Sequence, residues 1–383
     1  MQQKNLPGAR TAADTWFWLM AADTAPPVAS VAAAESTAPA SLSLPVLEQL
    51  RRGSRFISHV PRSVLNSPES TRIGCWSLNP YVGCEFGCTY CYARFAHRYL
   101  VQRTRDAGCL TPAQASEFQG PRGFEGFERE IFVKQREAVL SALGRDLPRV
   151  LARYRQGDCR PLLIGTATDP YQPAERRFGI TRAVLERLLQ APPLALGLIT
   201  KSPLVTRDLR LLETLSRRHQ VTVHISLIST SRRIIRCFET RSAMPHARLR
   251  ALRRLAEAGL DAGLLVAPIL PGITDRASAL RRLLRAAREH GARFAHPSPL
   301  RLYRAVRPVF LPAIERHFPG LLPRYQAAYR RAEEAPDAYV RALKKRFASL
   351  AREIGLSTQS ALSQVSLGQG QAQQLALWTT STP

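Results

Sequence analysis

Residues 79–94 read NPYVGCEFGCTYCYAR, and this stretch decides how the rest of the chain is organised. It holds three cysteines within eight residues: Cys84, Cys88 and Cys91. Gly83 and Gly87 each stand directly before a cysteine. Because glycine adopts positive φ without steric cost, the loop can turn sharply at both positions. The spacing therefore predicts three thiolates gathered around one small inorganic centre.

A fourth cysteine is missing from this stretch, and its absence indicates which kind of metal centre the loop can hold. Structural zinc sites close with four ligands, usually as two pairs. Cubane iron–sulfur clusters are normally held by four thiolates, so three thiolates leave one iron open to a ligand that is not protein. Two alternatives remain open on spacing alone. The loop could be a zinc site completed by His59 or His97, or its cysteines could simply be buried.

The spacing C-x3-C-x-aromatic-C resembles the signature of the radical S-adenosylmethionine (radical SAM) superfamily. Its residues here are Cys84, Cys88, Tyr90 and Cys91. The resemblance implies that the cysteines bind a [4Fe-4S] cluster, that SAM binds the open iron, and that Tyr90 belongs to the cofactor site. It further implies reductive cleavage of SAM to a 5′-deoxyadenosyl radical, with a reductase, flavodoxin or ferredoxin as electron donor.

The sequence motifs on either side of the cysteines indicate one branch of this superfamily. Asn79-Pro-Tyr-x-Gly-Cys and Cys91-Tyr-Ala-Arg are similar to the branch that contains spore photoproduct lyase and its uncharacterised bacterial relatives. That lyase also uses a nearby cysteine as hydrogen-atom donor, at the strand end that residues 166–168 occupy here. No cysteine is present at these positions. We therefore expect the cofactor chemistry of the branch without that repair reaction, and the substrate and catalytic residues stay unidentified.

Composition places the chain among ordinary globular proteins, with 45% hydrophobic and 22% charged residues in 383. No run of about 18 apolar residues occurs, which predicts no membrane span. The apolar stretch at residues 16–22 is too short and too poorly flanked for a signal peptide. Seven cysteines, an odd number with three clustered, indicate a reducing compartment, so we predict a cytoplasmic protein.

The net charge of +26 is large for a chain of this length. Residues 205–260 carry twelve Arg and four acidic residues, and residues 276–307 carry nine Arg and one acidic residue, so each segment has a net charge of +8. Such a positive electrostatic field favours the binding of nucleic acid, and binding of this kind weakens as the salt concentration rises. The same arginines could equally line the solvated outer faces of helices, and the composition does not choose between the two.

Apolar runs alternate with amphipathic segments after the cysteine loop, which predicts parallel strands with crossover helices. The predicted strands are residues 131–134, 161–166, 195–200, 221–227, 263–270 and 292–295, with a short strand at 75–79 that leads into the loop. The helices are predicted at 92–103, 137–147, 181–190, 207–219, 246–258 and 276–290. This α/β pattern matches the partial (β/α)6 TIM-type barrel that the resemblance implies.

The pattern divides the chain into five parts. Residues 1–46 are rich in Ala and Pro and are predicted to be disordered, and residues 47–77 form an N-terminal extension. The radical SAM core is predicted at 78–305, with an irregular insertion at 104–126. A helical C-terminal region follows at 306–356, and a flexible tail at 357–383.

Polar residues follow several predicted strands, at the end where functional groups gather in parallel β/α barrels. Thr168 and Asp169 follow one strand, and the resemblance implies that they hold the amino group of SAM. Asp169 could instead cap a turn before Pro170. Lys201 is a lysine at the end of a buried strand and needs an anionic partner, which the resemblance identifies as the carboxylate of SAM. Ser226 resembles the family's serine that contacts the same cofactor, SAM. Its hydroxyl could instead be bonded to backbone.

Two further residues are given weaker roles. Glu239-Thr-Arg241 lies where relatives carry Glu-Pro-Arg, and the change to threonine leaves Glu239 without an assigned function. Asp275 is well placed to cap the helix that follows it, and we favour a role in the scaffold for it. Three hypotheses result: a radical SAM enzyme of unknown substrate, a nucleic-acid repair or modification enzyme with the same chemistry, and a non-enzymatic zinc-bearing nucleic-acid-binding protein.

Overall fold

The computed structural model describes residues 46–49, 53–71, 73–120 and 125–365. Eleven strands are found in these ranges: β1 (Val46–Gln49), β2 (Arg55–His59), β3 (Leu65–Asn66), β4 (Trp76–Leu78), β5 (Tyr81–Val82), β6 (Glu130–Lys134), β7 (Leu162–Ile164), β8 (Ala195–Thr200), β9 (Gln220–Ser226), β10 (Asp261–Ile269) and β11 (Ala295–Pro299).

The helices of the same ranges are α1 (Pro68–Thr71), α2 (Arg94–Asp106), α3 (Pro112–Gln119), α4 (Arg136–Arg155), α5 (Glu175–Phe178), α6 (Ile180–Leu188), α7 (Leu209–Ser216), α8 (Arg232–Phe238), α9 (Pro245–Glu257), α10 (Ala277–Glu289), α11 (Arg307–His317), α12 (Leu322–Ala328), α13 (Asp337–Ile354) and α14 (Ala361–Val365). Short 3-10 helices lie at Glu125–Glu128, Pro203–Asp208 and Pro319–Leu321. None of these helices is both long and apolar enough to cross a membrane.

The larger sheet has seven strands in the order β11-β10-β9-β8-β7-β4-β3. β4 and β7 to β11 run parallel, and β3 joins the edge antiparallel to β4. The parallel strands are apolar on both faces, as the burial of the successive residues Leu264, Leu265 and Val266 of β10 shows. Helices cover the outer face, because each crossover between parallel strands returns along it. This is the predicted α/β partial barrel.

A second sheet of four strands, in the order β1-β2-β6-β5, lies outside the barrel. It contains β6, so the prediction that residues 131–134 form the first strand after the loop within the barrel is wrong. β6 pairs instead with β2 of the N-terminal extension, parallel, with Arg55 opposite Glu130. All five residues of β6 are buried, and a strand covered on both faces has the same apolar pattern in either sheet. β4 takes the first position in the barrel.

The insertion predicted to be irregular contains a regular helix, α3. Thr111 accepts a hydrogen bond from the backbone N–H of Gln114, and the side chain of Gln114 accepts one from the N–H of Thr111. Pro112 at the first helical position completes this capping box. The start signal was therefore present in the sequence, and the prediction of an irregular segment at 104–126 is wrong over these residues.

The helix predicted at 137–147 continues past Pro148, and the predicted helical C-terminal region is divided at prolines. α4 runs through Pro148 to Arg155, although a proline removes the hydrogen bond to the carbonyl four residues earlier. The helix continues because Leu147 and Val150 stay on its buried face. In the C-terminal region α11, α12 and α13 form three separate helices, with Pro319 starting the turn after α11 and Pro336 preceding α13.

Asp275 does not cap α10, contrary to the prediction. The cap position is Arg276, which makes no side-chain hydrogen bond to the helix end. The carboxylate of Asp275 accepts a hydrogen bond from the Tyr339 hydroxyl at 2.9 Å instead. Asp275 thus joins the end of the barrel to α13, and its role is in the scaffold.

The start of the segment predicted as a flexible tail packs against the barrel. Ser357 forms a parallel bridge with Phe294, just before β11. Leu362 of α14 is 2% exposed and lies against Gly197, where an added Cβ would come within 2.8 Å of it. The backbone N–H of Ala361 in α14 donates to the carboxylate of Asp261, which begins β10, so α14 lies at the end of the barrel opposite the strand termini that carry Lys201. Residues 1–45 and 366–383 of the predicted terminal segments lie outside the described residues.

Candidate metal centre and strand-end site

The cysteine loop turns at the two glycines that the sequence singled out. Gly83 has φ of +88°, and a Cβ there would come within 2.8 Å of the Glu130 carbonyl oxygen and 2.9 Å of the Phe127 carbonyl oxygen. Gly87 has φ of +57°. No other residue fits at Gly83, because both the backbone angle and the neighbouring backbone exclude a side chain. The predicted role of glycine in the loop is confirmed.

The three thiols of the loop lie in each other's electrostatic field. Cys84 and Cys88 are buried, Cys91 is partly buried, and all three are free thiols. Burial is the main cause that raises the pKa of each, and raises that of Cys88 to about 12. The neighbouring Lys201 ammonium acts in the opposite direction on Cys88 and Cys91. A set of three soft sulfur donors in apolar surroundings fits an iron–sulfur cluster.

The structure does not support a single zinc ion at this loop. Within the described residues no three His, Cys, Asp or Glu side chains are placed so that they could hold one metal ion. His97 is buried, and its Nε2 lies 3.0 Å from the Glu130 carbonyl oxygen. His59 lies in β2, where burial and Lys134 lower its pKa to about 4. Because a cubane presents three separate irons to three thiolates, this finding bears on the zinc site and not on the cluster.

The loop after β7 is bonded to the cysteine loop and to the next strand. Thr168 donates its hydroxyl hydrogen to the Gly83 carbonyl oxygen at 2.6 Å. Asp169 accepts hydrogen bonds from the Thr200 hydroxyl at 2.6 Å and from the backbone N–H groups of Lys201 and Tyr171. Burial is the first cause that raises the pKa of Asp169. A carboxylate offers about four acceptor positions, so three donors leave one for a further partner.

Lys201 and Ser226 meet at the ends of adjoining strands. The Nζ atom of Lys201 lies 2.9 Å from the Oγ atom of Ser226 and 5.8 Å from the centre of the Tyr90 ring. Burial would lower the pKa of Lys201, but the Cys88 thiol and the Glu239 carboxylate outweigh it and the pKa is raised. The ammonium is thereby held charged beside the cysteine loop, as an anion-binding site requires.

The sequence reasoning missed a buried ion pair next to Lys201. Glu239 and Arg248 are both 0% exposed and form a salt bridge. Arg248 was counted only as part of a basic helix, and Glu239 was left without a role. One signal could have found Arg248: it occupies the apolar stripe of α9 together with Leu252 and Leu255. An arginine on the buried face of a helix needs a buried partner.

A second ion pair with the same chemistry lies at the other end of the cysteine loop. Tyr81 in β5 donates its hydroxyl hydrogen to the Glu175 carboxylate at 2.5 Å. Arg207 donates to the other oxygen of Glu175 at 2.9 Å. Glu175 also accepts the backbone N–H of Thr181 at 2.8 Å. This Tyr81–Glu175–Arg207 triad anchors the strand that enters the loop, and the sequence reasoning did not single it out.

A family model and two uncharacterized relatives match large parts of the chain. The family model of the radical SAM superfamily matches residues 78–284. An uncharacterized protein of Mycobacterium tuberculosis is 31% identical over 275 residues, which cover 72% of this chain and 73% of that protein. An uncharacterized protein of Methanocaldococcus jannaschii is 24% identical over 199 residues, covering 52% of this chain and 61% of that protein.

Solved structures of spore photoproduct lyase have a similar fold. A mutant of that enzyme superposes with a TM-score of 0.55 at 15% identity, covering 79% of this chain and 81% of the other. Another, solved with bound AdoMet (SAM) and dinucleoside spore photoproduct, has a TM-score of 0.51 over 79% and 81%. At this level of identity the likeness shows the fold alone.

Proposed function

This chain belongs to the radical SAM superfamily, and we propose that it is an enzyme that holds a [4Fe-4S] cluster on Cys84, Cys88 and Cys91 and binds SAM at the open iron. When bound, the cluster supplies the electron that cleaves SAM reductively to a 5′-deoxyadenosyl radical. The protein supplies the binding groups, their orientation, and the exclusion of water and oxygen. Phe86 and Tyr90, both buried in the loop, contribute to that exclusion.

The observation that carries the proposal is the position of Lys201. Its ammonium lies beside the Cys88 thiol, over the Tyr90 ring and against Ser226, at the strand ends where parallel barrels bind their ligands. A carboxylate that reached the open iron would meet this charge. We therefore assign Lys201 and Ser226 to the carboxylate of SAM.

We assign the amino group of SAM to the loop after β7. Asp169 keeps one acceptor position after its three protein donors, and Thr168 ties this loop to the turn before Cys84. The electron that the reaction needs comes from outside the chain, and we propose a reductase, a flavodoxin or a ferredoxin as its source. All seven cysteines are free thiols, which agrees with the reducing, cytoplasmic location that we propose.

Anaerobic reconstitution tests the proposal directly. The reconstituted chain should hold about four irons and four sulfides and should form 5′-deoxyadenosine from SAM under a chemical reductant. Cys88→Ala should lose both the cluster and this product. Cys109→Ser is the matched control, because Cys109 lies outside the loop, three residues beyond the last residue of α2, and it should retain both. Full SAM cleavage by Cys88→Ala, or stoichiometric zinc without iron in protein purified anaerobically, would contradict the assignment.

A specific surface favours a nucleic-acid substrate as a second, narrower function. Phe95 and Tyr99 of α2 are 45% and 62% exposed, one helical turn apart on the helix that follows the cysteines. The Arg103 guanidinium lies 5.6 Å from the centre of the Tyr99 ring. Tyr92 continues the aromatic path inward, 6.3 Å from the Phe95 ring. Exposed rings beside arginine are typical of surfaces on which unpaired bases stack.

Fluorescence anisotropy with a single-stranded DNA and a single-stranded RNA oligonucleotide, and with duplex DNA and tRNA, tests this second function. We expect binding that weakens steeply with salt, because the chain carries a net charge of +26. The double variant Phe95→Ala/Tyr99→Ala should weaken binding about tenfold or more. Val60→Ala removes another exposed apolar side chain, 61% exposed, and should change nothing. Binding without a salt slope, or unchanged by the double variant, would exclude this surface.

A further inference from the structure

We infer that the buried Glu239–Arg248 pair is a positioning device for SAM, which fixes the Tyr90 ring and the Lys201–Ser226 contact in the orientation that the cofactor requires. This inference rests on the proposed function, since it concerns how the same site recognises SAM. It assigns a role to two residues that touch neither the cluster ligands nor, in our assignment, SAM itself. They act through Tyr90, Lys201 and Ser226.

Glu239 joins the cysteine loop to the barrel. Its carboxylate accepts the hydroxyl hydrogen of Tyr90, which lies between Cys88 and Cys91. The same carboxylate accepts the Ser242 hydroxyl at 2.7 Å and the Arg248 guanidinium. One side chain thus ties the Tyr90 ring of the cysteine loop to Ser242 and to Arg248 of the barrel.

Arg248 joins the same carboxylate to β9. Its guanidinium donates to the backbone carbonyl of Ser226 at 2.8 Å and to that of Ala243 at 2.8 Å. Ser226 therefore receives Arg248 at its carbonyl and Lys201 at its hydroxyl. The contacts form a closed ring from Tyr90 through Glu239, Arg248, Ser226 and Lys201 back to the Tyr90 ring. Movement of any member displaces the next.

Stability alone does not explain this arrangement. Both charges of the pair are fully removed from water, and the desolvation penalty offsets most of their attraction. Well-packed apolar residues often replace such a pair with no loss of stability, so the reason for this pair lies in the groups that it holds. Here the enforced orientation is that of the two groups that face the cofactor site, Tyr90 and Lys201.

The Tyr81–Glu175–Arg207 triad provides an internal control. It has the same three residue types, a carboxylate that is 0% exposed, and a tyrosine next to the same loop. Its contacts run to α6, through the Thr181 N–H, and not to Lys201 or Ser226. Weakening this triad should loosen the scaffold and leave SAM recognition in place. A difference between the two triads therefore separates positioning from general packing.

The test measures SAM affinity by anaerobic equilibrium dialysis in reconstituted wild type, Tyr90→Phe, Glu239→Gln, Tyr81→Phe and Glu175→Gln. Iron and sulfide content, the electron paramagnetic resonance spectrum of the reduced cluster with and without SAM, and the melting temperature are recorded for each. Glu239→Gln should weaken SAM binding about tenfold or more, as loss of an outer-shell partner does in metal sites. Tyr90→Phe keeps the ring and should give a smaller loss in the same direction. Both should retain iron and show an altered spectrum with SAM.

Tyr81→Phe and Glu175→Gln should lower the melting temperature while SAM affinity stays within about twofold of wild type. SAM affinity that is unchanged in Glu239→Gln and Tyr90→Phe would overturn the inference, as would equal losses in both triads. If Glu239→Gln fails to fold, Tyr90→Phe decides alone. A wild type that holds iron but no SAM, or neither, contradicts the proposed function itself, which distinguishes that failure from failure of the inference.

Discussion

Lys201 and Ser226 contact one another through their side chains, Nζ to Oγ at 2.9 Å, at the exits of neighbouring parallel strands. The register of β8 and β9 places Thr200 opposite Ile225, so Lys201, directly after β8, lies beside Ser226 at the end of β9. Their side chains consequently point to the same face. Within the part of the chain that the structure describes, Lys201 forms no salt bridge with a carboxylate. Its charge is available to an anionic ligand beside the cysteine loop.

Replacing Lys201 with methionine should separate SAM recognition from cluster binding. Lys201→Met keeps the length of the side chain and removes the ammonium that we assign to the SAM carboxylate. SAM affinity should fall at least about tenfold, or about 1.4 kcal/mol, while iron content stays at the wild-type level. Equilibrium dialysis with the reconstituted protein measures the first, and iron analysis the second.

Lys134→Met is the control for loss of a buried lysine. Lys134 is 9% exposed and donates to the Asn79 carbonyl oxygen at 2.6 Å, from the second sheet. Its replacement should cost stability and leave SAM affinity unchanged. Equal effects of the two variants on SAM affinity would remove Lys201 from the site.

Gly83→Ala should damage the cysteine loop more than its backbone angle alone explains. The added Cβ would meet two carbonyl oxygens, of Glu130 and Phe127, at distances that require the backbone to shift. Gly157 has nearly the same φ, +87°, with nothing within 4 Å of an added Cβ. Gly157→Ala should therefore cost about 1 to 2 kcal/mol, the cost of the left-handed conformation. Gly83→Ala should cost clearly more and reduce iron content after reconstitution. Equal losses of unfolding free energy in urea would contradict the steric argument.

The cysteine loop and the strand ends could be predicted from the sequence because their signals are local. Gly83 stands next to a ligand, and Lys201 follows an apolar run, so each position is apparent within a few residues. The structure confirms the sharp turn at Gly83 and brings Lys201 to Ser226. The roles of Tyr90, Thr168, Asp169, Lys201 and Ser226 toward SAM stay predictions.

Contacts between distant segments could not be predicted in the same way. β6 looks like a barrel strand because burial on both faces gives an apolar run in either sheet, and only its pairing with Arg55–His59 decides. Glu239 and Tyr90 are 149 positions apart in the chain, so no local pattern links them. Arg248 does carry a local signal, its place on the apolar stripe of α9, although its charge also counts toward the net positive charge of residues 205–260.

Leu362→Ala tests whether α14 closes the barrel. Leu362 is 2% exposed and lies between Gly197 and the β7 side chain Leu163. Its truncation should lower the free energy of unfolding by about 2 to 4 kcal/mol, through lost burial and a cavity. SAM affinity should stay at the wild-type level, because α14 lies at the opposite end of the barrel. Urea titration measures the free energy of unfolding.

Leu47→Ala is the control, at a side chain that is 48% exposed, and should cost less than about 0.5 kcal/mol in the same urea titration. A similarly small cost for Leu362→Ala would mean that residues 357–365 behave as the flexible tail that the sequence predicted.

His97→Gln tests the assignment of His97 to the scaffold through the pH dependence of stability. Burial, reinforced by the nearby Arg94, lowers the pKa of His97 to about 4, while its Nε2 contacts the Glu130 carbonyl oxygen. An unfolded histidine has a pKa of about 6.5, so below that pH the unfolded chain binds a proton that the folded chain excludes. The free energy of unfolding should therefore fall as the pH falls from 6.5 toward 4, by about 2 kcal/mol at pH 5 from this residue alone.

Glutamine keeps an N–H donor for the carbonyl and does not titrate. Urea unfolding at pH 7.5 and pH 5 should thus show a drop in wild type that is about 2 kcal/mol larger than in His97→Gln. Equal drops would mean that His97 is charged in the folded protein at pH 5, which its place between α2 and the second sheet does not permit.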